Sequence, residues 1–232
     1  MPVSDRAALF ARVRHGCRGA PAADIEAQLR GLGRAPAAAL PAADVATSFL
    51  VNVLKNQGSA NAAEHRSGAV SAVSAYLYAH YRSQRLVAGN DPRLAAMPWR
   101  DAGVLPRFGA VAPGESVTLS FARLGVAEMG AVVIYTGRSN PAANNLLPER
   151  HIVLLDSSDL VSDMESAWER INADMEKLGR PRGVNFIAGP SSTADIEGQL
   201  VYGAHGPRGW HVILIGDNAT DALQQARAIA GR

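Results

Sequence analysis

Residues 185 to 197 read Asn-Phe-Ile-Ala-Gly-Pro-Ser-Ser-Thr-Ala-Asp-Ile-Glu, an apolar stretch that meets a Gly-Pro turn and then three hydroxyl side chains. A helix opening at this point would offer free backbone N–H groups, hydroxyls and the positive end of a helix dipole, a combination suited to a carboxylate or a phosphate. Gly189, Ser191, Ser192, Thr193, Asp195 and Glu197 are therefore candidate ligand-binding residues. The plainer alternative is that Ser191, Ser192 or Thr193 caps the helix and Asp195 closes a capping box with Ser192. A second loop, Gly-Ala-His-Gly-Pro-Arg-Gly-Trp-His over 203–211, adds His205 as a candidate acid or base and Arg208 as a carboxylate clamp. Glu128 stands in Ala-Glu-Met-Gly just before a β-prone run, where a held carboxylate can act as base or nucleophile. An exposed turn glutamate is the alternative there. Asn145, in the loop Asn-Pro-Ala-Ala-Asn-Asn-Leu-Leu-Pro, can line a pocket or complete a turn.

Other chemistries lose support from the sequence. It contains no GxGxxG after a strand, no GxxxxGK[ST], no HExxH and no GxSxG. Its six histidines, at 15, 65, 80, 151, 205 and 211, are scattered, and no metal set is read from their spacing. One cysteine, Cys17, can form neither an internal disulfide nor a Cys-rich cluster, so no cofactor is assigned to this chain and any redox metal is expected on a partner. The net charge of +2 argues against a global field for nucleic acid, and the arginines at 6, 12, 14 and 18 read as a solvated helix face. No apolar run approaches the roughly 20 residues of a membrane span, and the N-terminus lacks the apolar core of a secretory signal. Cytoplasmic residence is the expectation.

These residues need elements to position them. Residues 1–45, rich in Ala, Pro and Gly, read as a helical extension and linker, and 46–232 as the main α/β domain. Apolar spacing predicts helices over 44–54, with Asp44 as cap, and over 61–82. β-prone stretches follow at 85–88, 117–121, 131–135, 152–155, 184–187 and 212–215, with helices at 160–178, 194–200 and 219–230. Alternating strands and helices predict a mixed, mostly parallel sheet flanked by helices.

The stretch GPSSTADIEGQLVYGAHGPRGWHVILI resembles the C-terminal signature of the LUD-domain family, LutC/YkgG type, and GVAEMGAVVIYTGRSNPAANNLLPERHIVLL resembles its central block. The similarity spans roughly residues 85 to 216. Met129 and Ala131 stand where that family commonly carries threonines. The resemblance implies a NagB/RpiA/CoA-transferase-like fold. It also implies an accessory role beside two iron–sulfur protein subunits in a complex that oxidises L-lactate to pyruvate. A second implication is enzymatic: CoA-transferase-like folds place a nucleophilic glutamate in a Glu-x-Gly turn, and Glu128-Met-Gly is similar, which would make acyl-CoA transfer the reaction class.

Overall fold

The computed structural model describes residues 5–16, 19–36, 38–196 and 198–232. Cys17, Arg18 and Glu197 lie outside the described residues. The chain divides into two compact units, 1–36 and 37–232. The first holds helices α1 (Asp5–Gly16) and α2 (Ala22–Gly31). The division precedes the expected boundary at residue 45, because Leu40 packs on a core of the second unit and Ser48 Oγ is bonded to both the N–H and the carbonyl of Ala42.

The second unit is built on a six-stranded sheet in the order β1 (Ser59–Ala63), β12 (Gly209–Ile215), β7 (Arg150–Asp156), β4 (Val117–Phe121), β2 (Arg85–Ala88) and β3 (Leu105–Phe108). Every neighbouring pair is parallel. Strands covered on both faces need continuous apolar runs, and Ile152–Leu155 and Val212–Ile215 supply them. On one face α4 (Arg66–Tyr81) packs over Leu119, Phe121, Ile152, Leu154 and Ile213. On the other, α3 (Val45–Lys55) and α8 (Ala219–Ala230) cover Val153, Leu155, Val212 and Leu214.

A second sheet, β8 (Leu160–Val161), β5 (Leu124–Val126), β6 (Ala131–Thr136) and β9 (Gly183–Ile187), joins that same core through Val132, Ile134 and Ile187. Its alternate residues, Val133, Val184 and Phe186, pack with α7 (Met164–Leu178) instead. Short helices α5 (Pro92–Ala95) and α6 (Ala143–Leu146) complete the connections.

Three expected helices are replaced in whole or part by strands, the one at 160–178 losing Leu160 and Val161 to β8. Residues 61–63 belong to β1, where small side chains fit between α8, α4 and the adjacent β12; the helix starts only at Arg66. Residues 192–202 form an antiparallel hairpin, β10 (Ser192–Ile196) and β11 (Gln199–Tyr202), in place of the helix at 194–200. Ile196 pairs with Gln199 across a turn holding Gly198 at φ +69, and Thr, Ile, Val and Tyr favour strands over helix.

Candidate functional site

Because 192–196 is a strand, no helix opens at Ser191, Ser192 and Thr193, and the predicted helix-terminal cradle has no dipole behind it. What the segment does instead is join loops. Ser191 N–H donates to Pro207 O and its carbonyl accepts from Gly203 N–H, each at 2.8 Å. Gly189, at φ +113, lies so near α3 that an added Cβ would sit 2.4 Å from Asn56 O. Gly206 packs against Ser191 and the Leu146 carbonyl of α6. Arg208 pairs with Glu149, while His205 is exposed. Ser191, Arg208 and the α6 segment of Asn145 thus gather at the amino ends of β7 and β12. Of Asp195 only the backbone, in β10, is described.

Behind these loops is a buried polar set that the sequence reading did not single out. Asn144 donates to Gly109 O and accepts from Val111 N–H, and its own carbonyl accepts from Thr118 Oγ1. Ser120 Oγ donates to Asn145 Oδ1 at 3.2 Å and lies 3.0 Å from His151 Nε2. His151 is fully buried, and burial lowers its pKa to about 3, so the ring is neutral. The available signal was alternation: Val-Thr-Leu-Ser-Phe in β4 places Thr118 and Ser120 on one face of a strand with no exposed residue.

A second histidine set lies at the amino end of the neighbouring strands. His211 Nδ1 is 2.8 Å from Ser59 Oγ, its ring stacks on Tyr76 at 4.2 Å, and burial holds its pKa at about 3. Arg150 donates to the Tyr76 hydroxyl, and burial together with Glu149 raises the Tyr81 phenol to about 12. A base of so low a pKa is a poor partner for activating Ser59.

Glu128 is apart from both sets. It sits in the turn between β5 and β6, where Oε1 accepts the Met164 N–H at the start of α7. Asn52 donates to the Ala127 and Glu128 carbonyls and Asn56 to that of Met129, tying the turn to α3. Gly130, at φ +63, presses on the backbone of Asn52 and Val53, leaving no room for a Cβ. At the carboxyl ends of the main strands, where α/β sheets commonly hold ligands, Arg66 and Arg93 lie over Phe121 at 4.5 and 4.1 Å and pair with Asp156 and Asp91.

The family model of the LUD domain matches residues 115–215, the stretch from β4 to the end of β12 that contains Ser120, Glu128, Asn145, His151 and the hairpin. Over that stretch the chain is similar to the LUD domain. Similar curated proteins are named Lactate utilization protein C: that of an Exiguobacterium species is 32% identical over 150 residues, covering 61% of this chain and 65% of its own length. The corresponding protein of Macrococcus caseolyticus is 32% identical over 148 residues, covering 59% and 64%. The aligned region thus spans just under two thirds of these relatives. A solved DUF162 family protein from Deinococcus radiodurans superposes with a TM-score of 0.54 at 19% identity, covering 74% of this chain and 96% of that one, which supports the mixed α/β fold.

Proposed function

We propose that this protein acts in lactate utilisation as an accessory subunit of an L-lactate to pyruvate oxidation system, binding a small anionic ligand while iron–sulfur partner subunits carry the electrons. The observation that carries this reading is the 32% identity over 150 residues to a protein named Lactate utilization protein C, together with the LUD-domain match over residues 115–215. A single cysteine agrees with a subunit that leaves clusters to its partners. The candidate ligand-binding set is Asn145, Gly189, Ser191, Ser192, Thr193, Asp195, Glu197, His205 and Arg208, and the gathering of Ser191, Arg208 and the α6 segment at the amino ends of β7 and β12 supports this reading. No helix among the described residues is long and apolar enough to cross a membrane, and we place the subunit in the cytoplasm.

The test is genetic and biochemical. Deleting the gene should abolish growth on L-lactate while sparing growth on glucose, and the tagged protein should draw down Cys-rich iron–sulfur proteins. Normal growth of the deletion strain on lactate sinks the proposal. The acyl-CoA transfer reading would instead require CoA-ester exchange by the purified chain.

A further inference from the structure

The first unit leaves its large apolar side chains uncovered. On α2 and its C-terminal cap, Ile25, Leu29 and Leu32 recur at i, i+4 and i+7 and form one stripe, while Glu26 and Arg30 pair with each other at 3.0 Å on another side of the helix. On α1, Leu9 and Val13 stand one turn apart with Phe10 beside them. These six side chains belong to residues 46 to 79% exposed, and none is a member of an apolar cluster among the described residues.

The excess charge of the chain lies on the same segment. Residues 1–36 hold six arginines against three acidic residues, a net +3, which leaves −1 for residues 37–232 out of the total of +2. At roughly 100° per residue, Arg12 and Arg14 project to opposite sides of the face that carries Leu9 and Val13. The Arg6 guanidinium lies over the Phe10 ring at 5.5 Å. By sequence alone these arginines are a solvated helix face; with uncovered apolar residues between them they have the pattern of a helix that lies in a membrane interface.

The arrangement also favours lipid over a protein groove. A groove reads a continuous apolar seam along one helix, whereas here the apolar residues are divided between helices of 12 and 10 residues. Helices so short are marginal in water. A bilayer surface needs no shaped complement: it takes up apolar side chains anywhere in its plane, and anionic headgroups attract the arginines.

We propose that residues 1–36 are a membrane-surface arm, which lays α1 and α2 on an anionic lipid bilayer with their six large apolar side chains among the acyl chains and the arginines against the lipid phosphates. The attachment is peripheral and reversible and involves no spanning helix. It is independent of the lactate-utilisation reading.

The test is co-sedimentation of the full-length protein with vesicles of equal parts phosphatidylglycerol and phosphatidylcholine, against vesicles of phosphatidylcholine alone, at ~0.1 M salt. The anionic vesicles should bind the protein at least about tenfold more tightly, and raising the salt should weaken that binding. Arg12→Gln and Arg14→Gln should each weaken it about fivefold, the worth of one arginine near an anionic surface. Leu9→Ser combined with Leu29→Ser leaves the charge unchanged and should weaken it by about tenfold or more, since two apolar side chains lose their burial. Deleting residues 1–36 should abolish it; if the shortened chain does not fold, the serine pair, at exposed positions, carries the comparison. No binding to the anionic vesicles, equal binding to both kinds, binding retained without residues 1–36, or full binding by the serine pair would each overturn the proposal. So would an acidic protein held through residues 1–36 by a chain that ignores the vesicles.

Discussion

The Glu128 carboxylate is already occupied at the N-terminus of α7, and that contact decides what a substitution there should do. Glu128→Gln keeps an oxygen for the Met164 N–H and loses only the charge facing the helix dipole, so the cost should be about 0.3–1 kcal/mol by urea unfolding, with lactate-dependent growth intact. A hundredfold loss of turnover in a normally folded variant would instead favour the nucleophile. Asp44 shows what was legible at this scale: read from type and position as a helix cap, it accepts the Thr47 N–H at 2.7 Å. His151 and His211 were not legible, because their behaviour comes from burial between elements far apart in sequence. Both have folded-state pKa values lowered from 6.5 to about 3, chiefly by burial. As pH falls through 6.5 the unfolded chain takes up two protons that the folded chain refuses until about pH 3. Stability is therefore full above pH 6.5 and drops below it, by up to about 1.4 kcal/mol per pH unit for each histidine. Urea midpoints at pH 7, 6 and 5 should fall in step, and His151→Gln should flatten the trend. A flat profile in the parent protein would contradict the burial of these rings.

Among the elements, α7 is held to the second sheet by one polar joint as well as by its apolar face. Arg123 donates from Nε and Nη2 to the two Asp174 oxygens at 2.6 Å, and Tyr135 adds a third bond at 3.0 Å. The Arg123 guanidinium, followed by the Tyr135 hydroxyl, keeps the Asp174 carboxyl below its ordinary range. Asp174→Ala should cost about 2 kcal/mol, less than a fully buried pair because Arg123 retains contact with water. Tyr135→Phe should cost about 1 kcal/mol. Hydrogen exchange of the α7 amides is the measurement that localises the effect, and unchanged protection in Asp174→Ala would show that the apolar face suffices. The helix itself was readable from its spacing, with an end at Leu178 as expected, whereas its first expected residues, Leu160 and Val161, form β8. The hairpin at 192–202 was misread for a physical reason: Ser-Ser-Thr serves equally as a helix opening or a strand start. The deciding contacts, Ser191 with Pro207 and Gly203, are not visible in local pattern.

At the scale of the whole chain, the mixed sheet flanked by helices follows from the alternation of strands and helices, but the strand order does not. β1 pairs with β12, from Ser59 opposite His211 to Ala63 opposite Ile215, and nothing in the small-residue run of β1 announces a partner some 150 residues away. Such long-range pairing is decided by burial, which also explains which unit carries the stability. All three apolar clusters draw their residues from Leu40 onward. In the first unit, α2 buries no residue, and Leu9, Phe10, Val13, Leu29 and Leu32 are exposed. Helices of 12 and 10 residues are marginal without a packed face. Removing residues 1–36 should therefore leave a chain that unfolds cooperatively, with Tm within about 4 °C of the full-length protein, a shift worth about 1 kcal/mol or less. The urea dependence of unfolding should change little, since it follows the surface newly exposed and the removed segment contributes little of it. The corresponding 1–36 peptide should show weak helical circular dichroism. A drop in Tm of about 10 °C or more on truncation would mean that the first unit contributes burial to the fold, and would move the stabilising boundary of the α/β domain toward the N-terminus.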